Sequence, residues 1–380
     1  MALFSLFKKR KKVSLIIDVG SASVGGAFVS KVSHETEILY SFRIPIALSK
    51  EISHSKLTQL ILSTIEIVVK SLIEEARKRL YVFEEAHYFL STPWTTSHVH
   101  TTNIVRENPV QVTEHFVSDV VKNEITQFTP TLGVSFLEDE NILVEQVVTQ
   151  VMLNGYEVIN PYGKKARHIE INSRVSYVSK KMKDVLSLII ERYAHIKASF
   201  KPFTSVLYSF ITKNFSNEKN YIACDVTGES TDMTFVYHGV PLYVGTLPLG
   251  RNGLVRAVSK AFDVGPDLAL SYMNLYSDAV LEPAISERIS TLITDVKNEW
   301  AALFKNFCIT NSIPKNFEKV FITADEGVAK IWSSFFVTAS AVRDEASVIA
   351  LSFSSLQVMK FIGNTSGDPF LALEALDIHR

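Results

Sequence analysis

Two aspartates, Asp18 and Asp225, each end an apolar run and open a turn of small and hydroxyl residues. The first run reads Leu15-Ile16-Ile17-Asp18-Val19-Gly20-Ser21-Ala22-Ser23 and continues into Phe28-Val29. The second reads Ile222-Ala223-Cys224-Asp225-Val226-Thr227-Gly228-Glu229-Ser230 and continues into Phe235-Val236. Setting Asp18 on Asp225 superposes the Asp-Val pair, the Ser and the Phe-Val pair without a gap. Glycine and small residues let backbone N–H groups approach an anion, and a strand-end carboxylate can hold a hydrated magnesium ion. The pattern therefore points to a phosphate group gripped from two sides. Asp18 and Asp225 are its magnesium ligands through water, and Gly20, Ser21, Ala22, Gly228, Glu229, Ser230 and Thr231 form its cradle. The plainer reading is a pair of hairpins with capping aspartates. Recurrence in register favours the chemical reading for the aspartates and leaves the loop residues open between the two.

Elements that position these residues follow from periodicity. Residues 37–43 and 86–91 read as further strands. Residues 53–79 read as an amphipathic helix with Leu57, Leu60, Ile61, Thr64, Val68 and Leu72 on one face. Between 92 and 173 the texture changes to strands near 97–105, 142–153 and 168–178 with one helix near 113–127. Asn154-Gly155 and Asn160-Pro161-Tyr162-Gly163 are turn signals there. Helices follow at 180–193, with Met182, Val185, Ile189 and Tyr193 inward, and at 203–215. After a polar boundary at 216–220 the second half repeats the plan. Its strand near 239–247 is followed by helices from 254 and 283, a strand at 319–323 and a helix at 328–336. The expected organisation is a leader (1–12), a first α/β domain (13–91 and 174–215) interrupted by an α+β insert (92–173), and a second α/β domain (220–345). A C-terminal segment (346–380) returns to the first domain.

The chain has 380 residues, enough for several domains, and an ordinary balance of 47% hydrophobic and 21% charged residues. A net charge of −1 gives no bulk electrostatic case for nucleic acid as a partner. Cys224 and Cys308 lie in apolar runs without metal spacing and read as buried thiols of a reducing compartment. His98 and His100 share a strand face but have no further ligand at metal spacing. Trp94, Trp300 and Trp332 read as core or interface anchors. No uncharged apolar stretch of about 18 residues is present to span a bilayer. The N-terminus places Leu3, Phe4, Leu6 and Phe7 ahead of Lys8, Lys9 and Arg10. That order is the reverse of a secretory signal. It suits either an anionic membrane surface or a disordered basic leader.

Paired strand-Asp-turn-strand hairpins in two α/β halves, with an insert in the first, resemble the actin-like (ribonuclease H-like) ATPase superfamily. Within it the chain looks like the FtsA family of bacterial cell-division proteins, with the PilM family of pilus proteins as near relative. The first phosphate loop of that family, Asp-Ile-Gly-Ser/Thr-Ser, matches Asp18 to Ala22. The second, Asp-Ile-Gly-Gly-Gly-Thr-Thr-Asp, matches Asp225 to Asp232, and Leu247 to Arg251 match a following Ile-Pro-Ile-Gly-Gly that includes Gly250. The insert's closing segment, residues 158–171, has the FtsA (SHS2-like) form around Asn160-Pro161 and Gly163. The resemblance implies ATP and Mg²⁺ in an interdomain cleft, with Asp325 and Gly327 at the nucleoside. It also implies self-association into filaments and linkage of a tubulin-like division protein, or of an inner-membrane pilus protein, to the cytoplasmic face of the membrane. Departures point the other way. Thr227 and Glu229 replace glycines of the second loop, and Thr323-Ala324-Asp325-Glu326-Gly327 replaces a Thr-Gly-Gly-Gly nucleoside motif, leaving a degraded site or a helix cap. The FtsA C-terminal membrane helix has no counterpart in residues 368–380, so the basic leader is the expected substitute. The leading expectation is an ATP-binding FtsA-like scaffold with slow catalysis at most. The alternative is a nucleotide-free, PilM-like adaptor, and a metabolite kinase is disfavoured for want of a base.

Overall fold

A computed structural model describes residues 11–32, 35–48, 53–127, 140–314, 317–356 and 367–378. The first half runs β1 (Lys11–Val19), β2 (Ser23–Val32), β3 (Glu35–Pro45), α1 (His54–Lys78) and β4 (Tyr81–Leu90). The insert follows as β5 (Thr95–Gln111), α2 (Glu114–Gln127), β6 (Asn141–Leu153), β7 (Tyr156–Glu157) and β8 (Lys165–Ser179). The first half resumes with α3 (Lys180–Ala194), β9 (Ala198–Pro202) and α4 (Phe203–Asn214). The second half contains β10 (Tyr221–Val226), β11 (Thr231–Tyr237), β12 (Val240–Leu247), α5 (Arg251–Phe262), α6 (Pro266–Ser277), α7 (Pro283–Thr310), β13 (Lys319–Thr323), α8 (Glu326–Thr338) and β14 (Val348–Ala350). Two short helices, α9 (Phe353–Leu356) and α10 (Pro369–Ile378), complete the described chain.

The strand orders are β3-β2-β1-β4-β9, β12-β11-β10-β13-β14 and, in the insert, β5-β8-β6-β7. The first two sheets share one plan. A central strand pairs antiparallel with the next strand and parallel with the strand after the helix. Both faces of these central strands are covered, which is why they read as unbroken apolar runs. Val13, Leu15, Ile17 and Val19 pack under α1 and α3. Ile222, Cys224 and Val226 pack into the second half's own core. The alternate residues Ile16, Tyr221 and Ala223 enter a third core around α4 and α10 that both sheets share. By the two-residue period of a strand, Asp18 lies on the face of Ile16 and Asp225 on the face of Ala223. The repeated motif thus aims both carboxylates at the junction of the halves.

Local chemistry explains the flanking elements. Ser53 caps α1 by accepting from the Lys56 N–H at 3.3 Å. Leu57, Ile61, Val68 and Leu72 are buried beneath it. A Cβ on Gly26 would lie 2.6 Å from Val68 and Leu72, so that glycine sets how closely α1 meets the sheet. On α3 the buried positions are Met182, Leu186, Ile189 and Ile190, and Val185 is exposed rather than inward. The inner stripe is turned by one residue because α3 packs against both α1 and β9. The insert has its own small core of Val117, Val121, Val151, Ile169 and Ile171 between α2 and its sheet. The residues after 345 are divided: β14 extends the second sheet beside β13, and α10 packs on α4 and the first sheet. The basic run is divided as well. Lys11 and Lys12 open β1, paired with Glu37 and Glu84, and Leu3, Phe4, Leu6, Phe7, Lys8, Lys9 and Arg10 lie outside the described residues.

Candidate functional site

Asp18, Gly25 and Arg43 stand in one row across β1, β2 and β3. Gly25 has no side chain, so the Arg43 guanidinium lies over it. A Cβ there would be 2.7 Å from Arg43 Nη2. Arg43 Nη2 donates to Asp18 Oδ2 at 2.6 Å, Nε to Asp368 Oδ2 at 2.7 Å and Nη1 to Ser23 Oγ at 3.0 Å. Burial works against the guanidinium's charge, but Asp368 and Asp18 more than offset it and hold Arg43 protonated. Glu374 of α10 faces the same cluster, fully buried, and among the described residues no donor reaches either of its oxygens. Burial, followed by the Asp18 charge, pushes its pKa well above the usual carboxylate range. It is therefore buried as the neutral acid, and its proton is directed at Asp18. Burial also raises Asp18 itself, outweighing the Arg43 charge that lowers it.

The second half builds the equivalent row from Asp225, Asp232 and Thr246. Asp225 Oδ1 accepts from Thr323 Oγ1 at 2.9 Å and Oδ2 from Ser91 Oγ at 3.2 Å. Asp232 Oδ1 accepts from Thr246 Oγ1 at 2.7 Å and Oδ2 from the Thr92 N–H at 3.1 Å. Ser91 and Thr92 follow β4, so the end of a first-half strand satisfies both second-half carboxylates. Burial, with the adjacent Asp232 charge, pushes Asp225 well above the ordinary range, and burial raises Asp232 as well. A metal bound at Asp225 would have to compete with the hydrogen bonds that Thr323 and Ser91 donate to it.

The two loops touch. Ser21 Oγ donates to Thr227 Oγ1 at 3.2 Å and accepts from the Glu229 N–H at 2.9 Å. A Cβ on Gly228 would be 2.6 Å from that of Ala22. The Glu229 carboxylate turns away onto α5, where Arg256 grips both oxygens at 2.7 and 3.1 Å and Asn252 donates at 2.7 Å. Burial alone would raise its pKa, but these contacts lower it. The first N–H groups of α5, which could have bound an anion, are taken. Arg251 donates to Thr227 O at 3.0 Å and Asn252 to Gly228 O at 2.7 Å. Gly250 lets α5 come this close, since a Cβ there would lie 2.5 Å from Thr227 O. Each loop also rests on a buried tryptophan. Trp94 Nε1 donates to Gly20 O at 3.0 Å and Trp300 Nε1 to Thr231 Oγ1 at 3.2 Å. What remains between the loops is a cavity of about 40 Å³ lined by Asp18, Ser21, Arg43, Asp225, Thr227 and Arg251. It has room for roughly two or three waters.

Similarity to solved structures is consistent with this duplicated plan. The chain resembles the PilM–PilN type IV pilus biogenesis complex, with a TM-score of 0.62 and 13% identity over 96% of this chain and 97% of that one. That likeness, with the duplicated sheet plan, gives the fold as actin-like. A Bacteroides thetaiotaomicron protein of actin-like ATPase fold and unknown function is similar at TM-score 0.46, with 8% identity over 97% of both chains. The ethanolamine utilization protein EutJ of Carboxydothermus hydrogenoformans is similar at TM-score 0.48, with 9% identity over 96% of this chain and 88% of that one. No family model matches the sequence, and no curated protein matches it.

In this actin-like frame the motif residues fall into two groups. Asp18, Gly20, Ser21, Ala22, Asp225 and Gly228 converge on the cavity. Glu229, Ser230, Thr231 and Gly250 serve the second loop's own closure. Ser230 Oγ shares a hydrogen with Thr227 at 3.0 Å, and Thr231 Oγ1 donates to Leu249 O at 2.7 Å. Asp325 precedes α8 and forms an ion pair with Arg251 across the mouth of the cleft. Gly327 packs on α6, where a Cβ would lie 2.7 Å from Asn274 Oδ1. A polar recess of about 440 Å³ opens there between Asn274, Asp278, Asp325, Gly327 and Lys330, on the outer side of the Arg251–Asp325 pair. Arg43, Ser91, Thr92, Asp368 and Glu374 went unread in the sequence. The signal for Arg43 was the glycine opposite it on β2. For Asp368 and Glu374 there was none, because an acidic tail reads as solvated. As arranged, the space between the loops does not fit a triphosphate with Mg²⁺. The carboxylate that would hold the ion is paired with Arg43, and the phosphate space is a few waters wide. Among the described residues no cluster of three or more His, Cys, Asp or Glu side chains could hold a metal ion, and no helix is long and apolar enough to cross a membrane.

Proposed function

We propose that this chain is a nucleotide-independent adaptor of actin-like fold in a membrane-associated assembly of the type IV pilus or secretion kind. It would act at the cytoplasmic face, gripping the cytoplasmic tail of an inner-membrane protein, with the insert contributing partner contacts. The observation that carries this reading is Arg43 lying on Asp18, in a cleft already closed by Ser21, Thr227 and Glu229. The similarity to the PilM–PilN type IV pilus biogenesis complex supports the choice of partner class.

A second reading keeps the FtsA-like scaffold, which binds ATP and Mg²⁺, forms filaments and links a tubulin-like protein to the membrane. Its support is the convergence of Asp18 and Asp225 on one cavity. Titration of a fluorescent ATP analogue with magnesium separates the two. The adaptor reading expects no saturable signal up to ~1 mM in either the native chain or Asp225→Ala. Saturable binding in the native chain that is lost in Asp225→Ala would establish the scaffold reading instead.

A further inference from the structure

The insert's sheet starts at the junction with the first half, where Thr95 and Asn141 lie beside Val178 and Ser179. Its opposite end, near Val105 and Leu153, is about ten residues further along, roughly 33 Å at strand rise. That distal end carries an unusual surface. Ile159 is fully exposed at 103%, with Tyr156 at 76%, Val105 at 66% and Tyr162 at 42%. These residues come from separate segments brought together by pairing. Leu153 pairs with Tyr156, Val105 with His168, and the Gly163 N–H donates to Val112 O. Pro161 and Ala166 beneath them are buried, so the loop is anchored and its apolar side chains are presented outward. Around them stand Arg106, Lys164, Lys165 and Arg167, all exposed. Among the described residues none of these four cations is in an ion pair, and the exposed acids of the same stretches of chain are Glu107, Glu114 and Glu157. Four cations against three acids leave this end of the insert slightly positive, with the exposed Ile159 among them, on a chain of net charge −1.

We propose that this tip docks on an anionic phospholipid surface. Ile159 would enter the headgroup boundary, Tyr156 and Tyr162 would lie at its level, and Arg106, Lys164, Lys165 and Arg167 would face lipid phosphates. Aromatic side chains favour that depth, and each cation near an anionic leaflet strengthens binding about fivefold. Charge complementarity decides for a membrane over a second copy of the chain, whose own tip would present like charges. The assignment is independent of the nucleotide question and of residues 1–10.

The test places an environment-sensitive fluorophore at Ile159→Cys in the full-length chain, in a Cys308→Ser background; the remaining cysteine, Cys224, is buried. Vesicles of phosphatidylcholine with about one third phosphatidylglycerol should shift the emission to the blue, and vesicles of phosphatidylcholine alone should not. Lys164→Glu with Lys165→Glu should weaken that response at least tenfold and leave the far-ultraviolet circular dichroism unchanged. No blue shift on anionic vesicles would overturn the proposal, whatever the leader does. So would a shift that depends on protein concentration without vesicles, which would assign the tip to self-association.

Discussion

At Asp18 the positive charge comes from Arg43, and removing it should be costly. Arg43→Ala leaves Asp18 and Asp368 facing each other in a buried site, beside Glu374. Breaking a buried ion pair from one side costs about 3–5 kcal/mol, and urea denaturation of the variant should show a loss of that size. A change below about 1 kcal/mol would mean that Arg43 is in practice solvated. Glu374 makes the opposite case, since its folded pKa stands well above the unfolded value. Between those values the folded state binds the extra proton, so stability contributed by the neutral acid is present at low pH and lost as pH rises. Glu374→Gln keeps the shape of the neutral acid without a proton to lose. It should raise the unfolding midpoint at pH 8 by an amount that shrinks toward pH 4. A pH-independent effect would show that the acid is not buried as the structure has it. At this scale the two aspartates were legible because they recur in register. Arg43 was not, because what places it is a cross-strand row with Gly25, and rows exist only once pairing is known.

Among the elements, the turn from β12 into α5 holds the second loop shut, and its glycines are not equivalent. At Gly250 a Cβ would meet backbone, 2.5 Å from Thr227 O and 2.6 Å from Ser230 N, which has little freedom to move. At Gly253 the nearest atom is the Leu249 side chain at 3.5 Å. Gly250→Ala should therefore cost about 1–3 kcal/mol, and Gly253→Ala should gain up to about 1 kcal/mol by removing a helical glycine. Calorimetric midpoints of the two variants shifted in the same direction would contradict the proposed close approach. Strongly periodic elements such as α1, α7 and β13 were readable from sequence, β13 to the residue. The helix α10 was not, because in Pro369 to Ile378 even the two acids, Glu374 and Asp377, are buried along with the apolar residues around them, leaving no amphipathic stripe to detect. The edge strand β9, five residues ending in Pro202, is short and carries little pattern of its own.

Over the whole molecule, the halves are joined where a nucleotide would otherwise join them. Ser91 and Thr92 reach Asp225 and Asp232, Ser21 reaches Thr227 and Glu229, and α10 brings Asp368 and Glu374 to the Arg43 side of the cleft. The repeated motif therefore keeps its architectural meaning, and the chemistry at its centre is a protein–protein clasp within one chain. The departures at Thr227 and Glu229 were visible in the sequence. Their consequence was not, because it depends on Thr227 bonding to Ser21 and on Glu229 turning onto Arg256. Thermal unfolding of the full chain with and without Mg·ATP tests the central claim most directly. A ligand present at about 100 times its Kd stabilises a fold by ~2.7 kcal/mol. For a chain of this size that is a rise of about 4 °C. With ~5 mM Mg·ATP, hence for any Kd below about 50 µM, a clasped cleft should leave the midpoint unchanged within a degree of the Mg²⁺-only control. A rise of about 4 °C or more that Asp225→Ala abolishes would contradict it.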